Sequence, residues 1–377
     1  MLKKILKTLL LFFVCTLGLF AQDVQFSMFY NVPLYLNPAF AGSRHGNRAI
    51  AHARWQWVGQ NARYDTYLVS FDTYSMKYNS GVGGYIMQDY QSLNKIVNTS
   101  VMLQYAYELK IDSRQTVRFG LQGGFTQPAI SVQDGLPSQY NNDGRFDNSA
   151  KNFQAAIVPD ISSGVIYYAK SLYVSLSAHH MNIPKYSVLN SNSSVLPLKM
   201  TLTAGYKIPI VINRDNEGLH TGNFIMMALT PTMTYKRQAD HFLLKASDQV
   251  DLGLYWTYKW SIAGIWYRGI PFEGVSTIAP SNNSANTGTN TTQTSSNTTY
   301  RNNESIVFLV GTSLFGIGFG YSYDLTISSQ GLSTGGAHEI HLSYVFRTKH
   351  TKKPMRSLPC PDFEYDILQR GSAGRVK

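Results

Sequence analysis

Apolar and polar residues alternate along most of this chain with a period of two. From Arg48 to Val58, Ala49, Ala51, Ala53, Trp55 and Trp57 fall on one parity, and Arg48, His52, Arg54 and Gln56 on the other. That is the period of a strand, not of a helix. In VNTSVMLQYAYEL the residues Val97, Thr99, Val101, Leu103, Tyr105, Tyr107 and Leu109 face one way, while Asn98, Ser100, Gln104 and Glu108 face the other. TVRFGLQGGF sets Val117, Phe119, Leu121 and Phe125 against Arg118, Gly120, Gln122 and Gly124. HEIHLSYVF sets Ile340, Leu342, Tyr344 and Phe346 against Glu339, His341 and Ser343. One face is therefore expected to be apolar and aromatic, the other polar or glycine.

Alternation alone also suits a soluble sandwich. Several runs, however, reach the ~9–11 residues a tilted strand needs to cross a bilayer, beyond the ~5–6 usual in soluble sheets. Only a closed barrel satisfies every backbone group of such strands in lipid. The fold class is accordingly all-β: a transmembrane antiparallel outer-membrane barrel of about 14 strands, an even number as such barrels require. The expected cores are 47–58, 64–74, 80–89, 97–109, 114–126, 160–169, 172–180, 198–210, 223–236, 248–258, 260–269, 305–313, 316–326 and 337–347. With the amino end in the periplasm, the long connections 127–159, 181–197 and 270–304 fall outside, and the short turns fall inside. The inner connection near 211–222 is longer than this rule expects. The polar run 279–304 should be an outer loop.

The first residues place Lys3, Lys4 and Lys7 before an apolar run from Leu9 to Phe20, ending at Ala21. That is the pattern of a secretory signal peptide over 1–21. Residues 22–46 then form an N-terminal periplasmic or plug segment, 47–347 the barrel and 348–377 a periplasmic tail. Removing the signal leaves Cys360 as the single cysteine, so no internal disulfide is expected. The chain carries 33 Lys and Arg against 22 Asp and Glu, a net charge of +11. Much of the excess lies in the tail, where residues 347–377 hold eight basic and three acidic side chains. The body lacks a basic stripe, so no nucleic-acid partner is expected.

NVPLYLNPAFAG, residues 31–42, is apolar enough for a core element, yet Pro33 and Pro38 exclude it from a helix interior or a central strand. Irregular backbone at membrane depth survives only inside protein or in a wet lumen. Residues Pro33, Leu34, Tyr35, Leu36, Asn37, Pro38 and Phe40 are therefore expected to fold against the inner wall as a partial plug, entering from the periplasmic side.

No catalytic constellation emerges, so no enzyme activity, cofactor or metal is expected. AHEIH around His338 lacks the helical spacing that zinc chemistry needs. GIGFG at 316–320 precedes no helix and reads as room for curvature. His179 and His180 are expected to point to opposite faces of a strand end. Arg48, Arg54, Asp72, Glu108, Arg118 and Glu339, on the polar parity, are expected in the lumen, either as ion pairs bracing the wall or as a selectivity ring for a solute.

QFSMFYNVPLYLNPAFAG, PDISSGVIYYAKSLYVSLSAHH, LTAGYKIP, QVDLGLYWTYKWSIAGIWYRG and GGAHEIHLSYVF resemble the recurring motifs of the PorP/SprF family of outer-membrane proteins, associated with type IX secretion and gliding motility. The resemblance spans residues 25–346 in one consistent order. It implies a barrel in the outer membrane of a Gram-negative bacterium, in contact with outer-membrane lipid. It further implies that the barrel assists secretion or cell-surface attachment of a partner such as a gliding adhesin or another type IX substrate. Periplasmic secretion-machine components are the other partners it implies; a general or selective porin is the alternative. Outer-loop residues Tyr140, Phe146, Phe153, Tyr186 and Leu189 suit a binding rim. In the tail, Phe363, Tyr365, Ile367 and Leu368 suit a docking peptide.

Overall fold

The computed structural model describes residues 23–93, 95–112, 115–130, 157–169, 171–185, 195–214, 223–238, 248–277, 298–328 and 331–346. Fifteen strand segments form one antiparallel sheet: β1 (Asn47–Gln56), β2 (Tyr64–Ser75), β3 (Ser80–Gln91), β4 (Ile96–Lys110), β5 (Gln115–Ile130), β6 (Val158–Ala169), β7 (Leu172–His179), β8 (Lys199–Tyr206), β9 (Ile208–Arg214), β10 (Asn223–Gln238), β11 (Asp248–Tyr258), β12 (Ser261–Thr277), β13 (Thr298–Leu314), β14 (Ile317–Thr326) and β15 (Ala337–Phe346). Each pairs with the next along the chain, except that β8 and β9 both pair with β10, and β1 pairs with β15 over ten residues from Asn47↔Phe346 to Gln56↔Ala337. The sheet is thereby closed, which removes every edge a bilayer would penalise.

The wall has fourteen strands because β8 and β9 are consecutive halves of one. Both pair with β10, through Gly205↔Thr232 and Ile208↔Leu229. The interruption spans Tyr206 and Lys207, which lie opposite Pro231 and Thr230, and Pro231 has no N–H to offer the ladder. Lys207 N–H instead donates to Ser171 O in the β6–β7 turn, at 2.8 Å. Pairing then continues down to Arg214↔Asn223. The long inner connection is therefore partly a hairpin extension beyond the inner rim. The expected outer connection 270–304 is likewise corrected. β12 and β13 continue their pairing to Thr277↔Thr298 through register shifts after Arg268 and Ile270, so that only 278–297 lies between them. Bulges let a ladder proceed through residues that break the alternation.

No helix among the described residues is long and apolar enough to cross a membrane; the crossing elements are strands. Their outward faces form the expected belt. On β4, Leu103, Tyr105, Tyr107 and Leu109 are 44–71% exposed, whereas Gln104 and Glu108 between them are buried. An apolar surface of this size is a lipid-facing one.

The inward face differs from expectation. It is not uniformly polar or glycine: Leu68, Tyr85, Met87, Met102, Ile166, Tyr168, Tyr173, Tyr255, Trp266, Val307 and Leu309 are all buried inside. Period two tells which residues share a face, but not that the face meets more protein.

Candidate functional site: a strap through the barrel

What these residues meet is the N-terminal segment, residues 23–46. It contains three single-turn elements, Phe29–Asn31, Pro33–Leu36 and Pro38–Phe40. Pro33 and Pro38 open the last two, where a missing N–H costs nothing. The residues before them, Val32 and Asn37, are non-helical, as a following proline requires. Asn37 Oδ1 accepts from Ala39 N–H at 2.8 Å and caps the third turn. Two prolines thus produce a compact strap that cannot join the wall as a strand.

The strap is the core of the barrel. Phe26, Val32, Leu34 and Ala41 pack with Leu68, Tyr85, Met87, Met102 and Ala106 of β2–β4. Phe29 and Leu36 pack with Tyr255, Trp266, Val307 and Leu309 of β11–β13. Ala39 packs with Ile166, Tyr168 and Tyr173 of β6–β7. Of the seven residues read from the sequence as a plug, Pro33, Leu34, Leu36, Asn37 and Pro38 are buried, and Tyr35 and Phe40 are half-buried. Each fully buried large apolar side chain contributes about 1.5–3 kcal/mol.

Irregular backbone in a dry interior must find hydrogen-bond partners. The wall's inward polar residues supply them. Arg118 Nε donates to Ala39 O at 2.9 Å, and its Nη2 to Ala41 O. Gln104 donates to Leu34 O at 2.7 Å, and Ser177 to Leu36 O at 2.9 Å. Asn37 Nδ2 donates outward, to the wall carbonyls of Val165 and Leu176 at 3.3 and 3.0 Å. Asp72 accepts from Gly42 N–H at 2.7 Å, and Glu339 accepts from Ser27 and Met28 N–H at 2.6 and 2.8 Å.

The six charged residues assigned to the lumen from the sequence all sit here, none more than 5% exposed. They come together as three pairs. Arg48 grips Asp72 through two bonds of 2.9 and 3.0 Å. Arg118 meets Glu108 at 2.6 Å, and Glu108 also meets His45 of the strap at 2.8 Å. Arg54 pairs with Glu339, and with Asp324 at 3.0 Å. Each pair also touches the strap, directly or through its partner. Sequence reading missed Ser27, Asp324 and Arg268, which complete the last group: Arg268 Nη2 donates to Ser27 Oγ at 3.1 Å, and Ser27 Oγ to Asp324. Their parity was readable, but the strap residue that joins them was not.

The strap's direction corrects the sequence expectation. Its first described residues lie at the outer end, not at the inner end where β1 begins. Asp23 lies at the outer end, bound to His180 at 2.8 Å, Lys199 at 3.1 Å and Gln238 at 3.1 Å. His45 lies at the inner end, just before β1. His180 is a second correction. It does not point away from His179; its φ of 59° turns the chain out of β7, and both rings end up buried. His180 bridges Asp23 and Asp160, the latter at 2.9 Å, while His179 donates to Leu36 O. Burial alone would lower the His180 imidazole, but Asp23 and Asp160 outweigh it and raise its pKa to about 9. Burial alone would raise Asp23, but His180 and Lys199 hold it well below the usual carboxylate range.

Wall glycines admit the strap. A Cβ at Gly81 would overlap Ala41, at Gly120 the Pro38–Ala39 peptide, and at Gly164 the Asn37 side chain. Gly320, within the GIGFG run, faces Met28 and Asn31. His338 faces outward, against Tyr321 Oη at 2.8 Å, while Glu339 and His341 face in. The outer-loop residues Tyr140, Phe146, Phe153, Tyr186 and Leu189 lie outside the described residues, as do Phe363, Tyr365, Ile367 and Leu368 of the tail.

Among solved structures, the chain is similar to the outer membrane protein Omp33 of Acinetobacter baumannii, at 8% identity and a TM-score of 0.39 over 81% of this chain and 100% of that one. It is also similar to the P. putida toluene transporter TodX, at 9% identity and a TM-score of 0.40 over 84% and 94%. No curated protein matched the chain. The family model for the type IX secretion system membrane protein PorP/SprF matches residues 19–344, from just before the strap to the closing strand. The chain belongs to the PorP/SprF family, and it is a β-barrel of the Gram-negative outer membrane.

Proposed function

We propose that this barrel assists the export or cell-surface attachment of a type IX secreted partner, such as a gliding adhesin, and does not serve as a solute channel or an enzyme. The observation that carries this reading is the strap. A porin keeps an aqueous lumen, whereas here residues 26–42 occupy the barrel interior and pack against β2–β4, β6–β7 and β11–β13. The barrel then offers its outer loops, its inner rim and its tail as contact surfaces, with the interior serving as a rigid core. Binding functions concentrate on such loops above a rigid scaffold.

Deletion of the gene tests this reading. The expected result is loss of one surface protein from intact cells with unchanged uptake of small hydrophilic solutes, and co-purification of that protein with the barrel from outer membranes. Reduced solute uptake with a normal set of surface proteins would overturn it in favour of a porin.

A further inference from the structure

We infer that the strap locks the seam between β1 and β15, where the first wall strand meets the last. This goes beyond the proposed function and concerns how the barrel is held closed. The geometry lies in the outer half of the seam. Glu339 on β15 accepts from both Ser27 N–H and Met28 N–H of the strap, while it pairs with Arg54 and, at 3.3 Å, with His52, both on β1. Arg54 returns to the strap through Ser27 Oγ at 3.0 Å, and Ser27 Oγ reaches Asp324 on β14. Two strap residues therefore bond to strands on both sides of one seam, in a site where both charged partners are almost fully buried.

A second observation shows why this seam needs such a contact. Side-chain pairs across strands supply much of a sheet's stability. On the lipid side, the middle of this seam has Ala49, Ala51 and Ala53 of β1 opposite Tyr344, Leu342 and Ile340; the larger Trp55 stands only at the outer end, opposite His338. At β4–β5 the corresponding pairs are Tyr105↔Leu121 and Tyr107↔Phe119. A methyl group covers little of an opposing leucine, so lipid-side packing through the middle of the seam is thin. On the inner side the seam pairs are Gln56↔Ala337, Arg54↔Glu339, His52↔His341, Ile50↔Ser343 and Arg48↔Val345. The one oppositely charged pair among them is the pair that the strap engages. Without the strap's two N–H donors, Glu339 would keep only Arg54 and His52 as partners.

The test uses the full chain carrying Cys360→Ser. Ser27→Pro removes one of the N–H donors and the hydroxyl together. Cysteines at Ala51 and Leu342 bridge the seam; those at Tyr105 and Leu121 bridge β4–β5 as a control. Directly opposed strand residues stand about 4.5–5.5 Å apart at Cα, within disulfide range. The readout is the temperature at which the folded barrel, distinguished by its gel mobility in detergent, converts to the unfolded form, compared between oxidised and reduced samples. Ser27→Pro should lower this temperature, the seam disulfide should restore most of the loss, and the control disulfide should not. Equal rescue by both disulfides, rescue by neither, or no effect of Ser27→Pro would overturn the inference. If Ser27→Pro does not assemble, Glu339→Gln is read with the same outcomes.

Discussion

Gly120 and Gly123 stand three residues apart on β5 and face opposite ways. A Cβ added at Gly123 would meet nothing within 4 Å, whereas one at Gly120 would overlap the strap backbone at Pro38 and Ala39. Gly123 faces lipid, which asks of a residue only that it be apolar. Gly120 faces folded protein, which asks for a shape. The same division runs along every wall strand: Leu121 is 64% exposed, while Gln122 beside it is 4% exposed and bonded to Gln104. The outside of the barrel is specified by composition and the inside by complementarity to one segment of about twenty residues.

Four experiments put that division under strain. The largest effect is expected from Arg118→Met, which leaves Glu108 buried with its Arg partner gone and two strap carbonyls without their donor. Breaking a buried pair costs about 3–5 kcal/mol, measurable by urea unfolding of the refolded barrel in detergent; Lys110→Met, on the exposed end of β4, should change little. Next comes Leu34→Ala. It deletes a fully buried strap side chain and should cost about 2–5 kcal/mol, while Leu121→Ala, on the lipid face, should cost less than about 1 kcal/mol. Gly120→Val should displace the third strap turn and cost about 1–3 kcal/mol. Gly123→Val should be neutral or slightly stabilising, because valine suits a strand better than glycine does; equal effects of the two would erase the comparison.

The smallest effect concerns pH and is confined to the outer end of the strap. The raised pKa of His180 means that its bonds to Asp23 and Asp160 stabilise fully below its ordinary value of 6.5 and are lost as pH rises through about 9. Asp23, shifted down, keeps its contribution from neutrality down to the acid range and loses it only as pH falls through its lowered value. Around these two groups stand Lys199, Gln238 and the Tyr35 hydroxyl. A spin label at Gln25 should therefore gain mobility as pH is raised through about 9, while one at Ser43, held by the inner ion pairs, should not. Equal mobilisation at both positions would mean that the strap leaves as one piece.

Some of this was readable from residues alone. Alternation located the fourteen wall strands, because a membrane barrel must present apolar side chains at every second position. The same parity placed Arg48, Arg54, Asp72, Glu108, Arg118 and Glu339 inside, since no such side chain is tolerated against lipid. Pro33 and Pro38 marked a segment unable to join the sheet. Other features were hidden for identifiable reasons. Trp266 and Tyr255 lie inward, yet they are the residues one expects on a lipid face, so aromatic content misleads about them. His180 leaves its strand through a left-handed backbone angle, which alternation cannot register. The break at Tyr206–Lys207 lies across the ladder from Pro231, a residue distant in sequence and adjacent only through the pairing.

The sequence by itself determined a closed antiparallel barrel, its strand count, its outer belt and the set of inward charges, because these follow from a local repeat and from the bilayer's demand that every backbone group be paired. Only the tertiary structure decided what those charges hold, and which way the strap runs. A carboxylate such as Glu339 can be assigned to the lumen by parity, but that its two oxygens meet Ser27 and Met28, more than three hundred residues earlier, depends on the folded path of a segment with no repeat to read.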